Sequence, residues 1–169
     1  MRLQQASVLS RAERDLVKAA ALDALLSGAL ADLELTAASL NCRLTDPLEI
    51  RRLNHTFANQ DEVTDVLAFA AVAVEGGRDF VIPSSEMDFI GDIVISVATA
   101  AERAGLARVD AAAELRLLAI HGLLHLLGHD HHQPASASRM TTATRRLLSR
   151  DASRRGVPAP RVPALKAQA

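Results

Sequence analysis

Five of the chain's six histidines fall within twelve residues, in the segment HGLLHLLGHDHH at 121–132. His121 and His125 are four residues apart on a predicted helix, so both imidazoles project from one helical face. Gly128 is typical of a helix end, and the turn after it can return His131 over that face. Three neutral imidazoles leave one position of a zinc ion open for water, as catalytic zinc sites require. The spacing therefore predicts a catalytic metal site.

Two features of this segment leave alternatives open. His129 and His132 are further candidates for the third ligand, and spacing alone does not choose between them and His131. The histidines and the glycine also match the pattern of metzincin peptidases, in which a glutamate beside the first histidine is the general base. Gly122 occupies that position here, which disfavours a peptidase.

Local periodicity predicts the elements that must position these histidines. Helices are expected over 15–30, after Asp46-Pro47, from about 97 to Gly105, from Asp110 to Gly128 and over about 135–150. Strands are expected over 39–45, 65–74 and 89–97, with a turn at 75–79 that allows one antiparallel pair and a bulge or close approach at Gly91. This order predicts an α+β fold with a small three- or four-stranded mixed sheet packed with about five helices.

Composition and charge bound the organisation of the chain. Its 169 residues suffice for one domain, which we expect over 1–152, followed by a disordered basic tail over 153–169. Net charge is −8 over residues 1–132 and +7 over 133–169, so the tail either meets an anionic partner or is simply solvated. A single cysteine and the lack of a long apolar run predict a cytoplasmic protein that does not enter a membrane.

Three segments in the same order resemble motifs of the YbeY family of bacterial endoribonucleases. HGLLHLLGHDH at 121–131 resembles the family's HGxLHLxGYDH, and LNHTFANQDEVTDVLAF at 53–69 resembles LNxxyRxxDxPTDVLSFP. FIGDIVIS at 89–96 resembles the strand LGDIvIS. The resemblance covers roughly residues 10–150.

The resemblance implies a single α+β domain that binds one Zn²⁺ and cleaves single-stranded ribosomal RNA. It implies a role in 3′-end maturation of 16S rRNA and in ribosome quality control, with the small ribosomal subunit as partner. Matched by motif, the metal ligands are His121, His125 and His131. Attack by metal-activated water and activation of the ribose 2′-hydroxyl both remain open as mechanisms.

The chain departs from the family pattern at a position expected to hold a phosphate. Ala58 replaces the family's arginine, and Arg51 and Arg52 on the same helix are candidates to substitute for it. Asp65 and Asp92 are candidate catalytic residues, although each could equally cap a local turn, and Thr64 is similarly ambiguous. Glu114 is expected either to orient a metal ligand or to form a surface ion pair.

Two other functions remain open at this point. Because the family's arginine is missing, the chain could be an RNA- or ribosome-binding assembly factor with weakened catalysis. A three-histidine site would also suit a metal hydrolase that acts on another substrate, such as a peptide or a small ester.

Overall fold

The computed structural model describes residues 2–5, 9–71, 89–131 and 133–163. Its sheet has four strands in the order β1-β2-β4-β3: β1 (Arg2–Gln5), β2 (Ser39–Thr45), β3 (Val66–Ala70) and β4 (Phe89–Ser96). The pairs β1–β2 and β2–β4 are parallel, whereas β3 and β4 are antiparallel. The predicted α+β class and the small mixed sheet are confirmed.

Six helices lie in the described ranges, one more than the approximate number predicted. They are α1 (Arg11–Ala20), α2 (Leu22–Asp32), α3 (Pro47–Ala58), α4 (Val97–Ala107), α5 (Ala111–Leu126) and α6 (Pro134–Arg155). Predicted caps are present on two of them. The Asp46 carboxylate accepts hydrogen bonds from the first turn of α3, and Asp110 accepts one from the first turn of α5.

The prediction of a single helix over 15–30 was wrong, because the helical segment is interrupted at Ala21 and forms two helices, α1 and α2. Ala21 has a left-handed backbone with φ of 46°. The Arg116 guanidinium donates a hydrogen bond to the Ala20 carbonyl oxygen, which in an unbroken helix would accept from the amide four residues later. A partner 96 residues away in sequence thus occupies this carbonyl, and local periodicity carries no sign of it.

The sheet has two faces that are covered by different helices. One face presents buried side chains to α5, against which α1 and α2 pack: Leu40, Cys42, Leu44, Ile93 and Ile95. α3 packs on the opposite face with Ile50 fully buried. Because strand side chains alternate between faces, the site-forming helix α5 lies on the same face as the apolar core.

Gly91 of β4 is the close approach that the sequence predicted. Its φ is +140°, and a Cβ atom there would lie 2.2 Å from the Phe69 carbonyl oxygen of β3. Only glycine fits, so this residue allows β3 to pair with β4 at the edge of the sheet. β3 itself ends at Ala70; the remainder of the strand predicted over 65–74 and the turn at 75–79 lie almost wholly outside the described residues.

After α5, the described chain forms a long last helix and then returns to the core. α6 runs to Arg155, past both the predicted helix end and the predicted domain boundary at 152. Val162 packs against the core, and its carbonyl oxygen accepts a hydrogen bond of 3.2 Å from the Arg145 guanidinium. Residues 164–169 of the predicted tail lie outside the described ranges. No described helix combines the length and apolarity needed to cross a bilayer.

Candidate metal centre

The helix α5 places His121 and His125 on one face, one turn apart. Their Nε2 atoms lie 3.1 Å from each other, and both side chains are partly buried. The helix can carry imidazoles here because leucines occupy its other faces: Leu118, Leu123 and Leu124 are buried in the core. The predicted pairing of these two histidines is confirmed.

A tight helix end then returns the chain toward these two imidazoles. The Gly128 amide donates to the His125 carbonyl at 3.0 Å, and the His129 amide donates to the Leu124 carbonyl at 2.9 Å. With Gly128 at φ +82°, this pair of hydrogen bonds is a Schellman motif. Ser136 of α6 fixes the next turn by donating to the Asp130 carboxylate at 2.6 Å. The turn therefore places His131 beside these two imidazoles.

His121, His125 and His131 form a cluster with the donor set of a metal site. Each offers a ring nitrogen, and the three nitrogens lie within 4.8 Å of one another. Tetrahedral zinc with bonds of about 2.0–2.1 Å needs ligand nitrogens about 3.3 Å apart, close to the 3.1 Å between the first two histidines. His129 is not in this cluster, and His132 lies outside the described residues. The residues present therefore fit a three-histidine zinc site.

Burial and neighbouring charges keep the His121 imidazole uncharged, which is the form that can bind a cation. Burial lowers the pKa of His121, and the charges of His125, His131 and Arg103 lower it as well, together to about 3. At neutral pH the His121 ring is therefore uncharged and has a free lone pair, the form in which imidazole ligates a metal. Burial also lowers the pKa of His129.

Gly122, beside the first histidine, has a structural reason to lack a side chain. A Cβ atom at this position would lie 2.7 Å from the Ile93 Cγ2 atom of β4. The glycine thus lets α5 pack closely on the sheet, and a glutamate would not fit without moving the helix. A peptidase that uses a general base at this position is disfavoured by packing as well as by residue type.

The three histidines line a cleft of about 590 Å³ between β3, α4, α5 and the end of the described chain. Thr64 and Asp65, at the start of β3, lie on its wall together with Arg103 of α4. The Arg103 guanidinium forms an ion pair with the Asp65 carboxylate. Its Nε atom also lies 3.1 Å from Oε1 of Glu114, an ion pair without hydrogen-bond geometry. The cleft thus combines imidazole donors with a linked group of charges.

Glu114 is buried on α5, so it is not the exposed surface ion pair that was one of its two expected roles. Burial raises the pKa of its carboxyl group, the nearby Arg103 lowers it, and Asp65 raises it. The side chain forms an ion pair with Arg103, and only the guanidinium of this pair lines the cleft.

Four other sequence candidates do not line the cleft. Asp92 points to the α3 side of the sheet, where it accepts a hydrogen bond of 2.8 Å from the Asn41 amide. Arg51 forms two contacts of 2.8 and 2.9 Å with the Asp61 carboxylate, and Arg52 lies 3.1 Å from Glu49. The last candidate position, Ala58, is the exposed final residue of α3. Both arginines are thus held by acids outside the cleft.

Sequence reasoning missed Arg103. It stands within ISVATAAERAGLA among ordinary surface residues of a helix, and no motif marks it. The one signal in the sequence was that this helix directly precedes α5, so that a side chain of α4 can reach the first turn of α5. That arrangement depends on how the two helices pack, which the sequence pattern did not give.

Comparison with known proteins agrees with the predicted resemblance. The family model described as Endoribonuclease YbeY matches residues 5–151. A protein named Endoribonuclease YbeY from Myxococcus xanthus is 40% identical over 119 residues, which cover 70% of this chain and 38% of that protein. Its namesake from Gloeobacter violaceus is 45% identical over 112 residues, covering 66% of this chain and 56% of that protein.

The matched parts leave much of these relatives uncovered. A third Endoribonuclease YbeY, from a Cyanothece species, is 48% identical over 98 residues, which are 58% of this chain and 57% of that protein. The chain therefore spans about half the length of the curated relatives it matches.

A solved structure shares the fold. The solution structure of TM1509 from Thermotoga maritima superposes with a TM-score of 0.60 at 22% sequence identity, covering 92% of this chain and 91% of that one. At this identity the likeness supports the fold alone. Together with the family match over residues 5–151, the three ordered motifs lead to one conclusion: the chain belongs to the YbeY family.

Proposed function

We propose that the protein is a zinc-dependent endoribonuclease that cleaves single-stranded RNA, with His121, His125 and His131 as zinc ligands. The observation that carries this proposal is the cluster of three ring nitrogens within 4.8 Å, which lines an open cleft instead of a closed core. The relatives' printed name, Endoribonuclease YbeY, supports RNA as the substrate class. A fourth protein ligand would be expected if the zinc were structural.

The residues of the cleft would contribute metal binding, ligand positioning and charge to this reaction. A zinc ion bound to the three imidazoles would supply Lewis acidity, which polarises a phosphoryl oxygen and activates water near neutral pH. His121 contributes a neutral ring because burial and the neighbouring charges together lower its pKa to about 3. The Schellman turn at Gly128 and the Ser136–Asp130 hydrogen bond hold His131 in place. Arg103 and Asp65 place charges on the cleft wall.

For the biological substrate we propose the 3′ region of 16S ribosomal RNA, processed on the small ribosomal subunit in the cytoplasm. This finer statement rests on the family to which the chain belongs. Maturation and quality control of that subunit are the processes in which we place the activity.

A cleavage assay with matched substrates tests the proposal. The purified chain is incubated with a single-stranded fragment of the 16S 3′ region and, separately, with casein, each with and without a chelator. We expect chelator-sensitive RNA cleavage, no casein cleavage, and about one zinc per chain by metal analysis. His121→Ala should lose both zinc and cleavage, whereas His55→Ala, an exposed histidine on α3, should keep both.

A second pair of variants tests the third ligand. His131→Ala should lower zinc content strongly, since two imidazoles bind zinc weakly, and His129→Ala should leave it near one per chain. The reverse order would assign the third ligand to His129. Full zinc occupancy in a His121→Ala, His125→Ala double variant would remove the metal site from the proposal altogether.

One alternative function is favoured by a specific observation. Arg51 and Arg52 are held by acids away from the cleft, so the site has few cations with which to stabilise a reacting phosphate. An RNA-binding assembly factor with weakened catalysis would bind the RNA fragment without cleaving it. Binding without chelator-sensitive cleavage would therefore favour this function, and cleavage of casein would favour a different hydrolase.

A further inference from the structure

Arg103 is the one permanent cation among the described residues that line the cleft. It is carried by α4, in a segment to which no motif assigned a role. We propose that Arg103 binds a phosphate of the RNA strand beside the three histidines, and that Asp65 and Glu114 are positioning residues that hold its guanidinium. This inference rests on the proposed function and names a substrate-binding residue for it.

The contacts of Arg103 orient it without using all its donors. A guanidinium has five N–H donors. The Nη1 group contacts Asp65 and Nε lies beside Glu114, so these two contacts leave donors on Nη1 and Nη2 for an anion. Planar Arg groups recognise phosphate through two parallel donors. The geometry is that of a cation held on one side and open on the other.

The Arg103 side chain is much more exposed to solvent than the two carboxylates that contact it. The Arg103 side chain is 56% exposed, while Asp65 is 14% and Glu114 is 8% exposed. Two shielded carboxylates thus fix a guanidinium that solvent, and hence a phosphate, can reach. An arginine that served only to neutralise buried Glu114 would have no need to extend into the cleft.

Arg103 lines the same cleft as the three histidines. A phosphate bound between them would meet the guanidinium on one side and, if the histidines held a zinc ion, a second cation on the other. This placement is where charge stabilisation of a phosphoryl group has its largest effect on rate.

The test compares Arg103→Gln with Arg150→Gln in the zinc-loaded full chain. Arg150 is a matched control: its side chain is 53% exposed and its partner Asp32 is 14% exposed, but it does not line the cleft. Removing one preorganised donor at a reacting oxyanion costs about 100-fold in rate. We expect Arg103→Gln to lower kcat/KM for RNA by about 100-fold and to weaken inhibition by inorganic phosphate about tenfold. Arg150→Gln should stay within about twofold of wild type, by comparison with exposed ion pairs.

Two further variants distinguish phosphate binding from support of the fold. Arg103→Lys keeps the charge but not the planar fork, so it should fall between wild type and Arg103→Gln. If Asp65 acts through Arg103, adding Asp65→Asn to Arg103→Gln should lower kcat/KM no further than Arg103→Gln alone. Zinc content and thermal midpoint should be unchanged in Arg103→Gln.

The outcomes separate this inference from the proposed function. If wild type cleaves RNA in a chelator-sensitive manner but Arg103→Gln matches Arg150→Gln, the inference is overturned and the function stands. A loss in Arg103→Gln that Arg103→Lys does not relieve, accompanied by loss of zinc or a lowered thermal midpoint, makes Arg103 structural and also overturns it. If wild type shows no chelator-sensitive cleavage, the proposed function falls and takes this inference with it.

Discussion

Two arginines of similar chemistry, Arg103 on α4 and Arg116 on α5, are placed in opposite surroundings. The Arg116 side chain is 5% exposed and forms an ion pair with Asp151 of α6, itself 8% exposed. The Arg103 side chain is 56% exposed at its pair with Asp65. An ion pair between a guanidinium and a carboxylate therefore joins two helices at Arg116, whereas at Arg103 it leaves the guanidinium open to solvent.

Burial explains what each arginine can do. Arg116 divides its donors between Asp151 and the Ala20 carbonyl, so it ties α5 to α6 and to the end of α1. Taking two charges out of water is costly, and good geometry only offsets that cost. Such a pair fixes how helices pack. An exposed pair contributes little to stability, so the cleft arginine is available for binding.

Arg116→Met should give the largest stability loss of the two sites. The variant leaves the Asp151 carboxylate buried without its main partner and the Ala20 carbonyl without its donor. Breaking one side of a buried pair typically costs about 3–5 kcal/mol. Urea unfolding followed by circular dichroism measures the change, and a loss below about 1 kcal/mol would contradict the role assigned to this pair.

Replacing both buried partners should restore much of that loss. In Arg116→Met with Asp151→Leu no uncompensated charge remains, and apolar side chains of similar volume fill the space. We expect the double variant to lie within about 2 kcal/mol of wild type, more stable than Arg116→Met. A double variant that is less stable than Arg116→Met would show that Asp151 has a second essential contact, for which Arg155, at 3.9 Å, is the first to test.

Arg103→Gln should change stability much less than Arg116→Met. Of its two partners, Asp65 keeps 14% of its side chain exposed to water and Glu114 can take up a proton. We expect the free energy of unfolding to change by less than about 1 kcal/mol, measured in urea on zinc-loaded protein. A loss as large as that of Arg116→Met would erase the distinction between the two arginines.

Glu114→Gln should give the smallest change, and its sign should depend on pH. Burial raises the pKa of Glu114 in the fold, so the ionised carboxylate opposes folding, and this penalty is relieved as pH falls through the folded pKa toward the unfolded value of 4.5. The glutamine variant should therefore equal or exceed wild type in stability near pH 7. The difference between the two should shrink as pH falls toward 4.5, in parallel urea titrations. A difference that grows on acidification would reverse the sign of this prediction.

The elements that the sequence predicted well are those governed by neighbours in the chain. Asp46 with Pro47 and Asp110 begin helices because caps act within three residues. The pattern of Leu40, Cys42 and Leu44 gave β2, since side chains alternate along a strand. The error concerns the helix over 15–30, where a contact from Arg116 reaches a distant backbone carbonyl.

The cluster of three histidines could be predicted almost entirely from the sequence. A spacing of four residues puts His121 and His125 on one face of any helix, and glycine at 128 ends that helix with a turn that returns His131. Tertiary structure alone decided the charges around it. Asp65 and Arg103 are 38 residues apart, and they meet only because the fold brings the start of β3 next to α4 at the wall of the cleft. Local propensity fixes geometry over a turn or two, whereas contacts between elements depend on packing of the whole core.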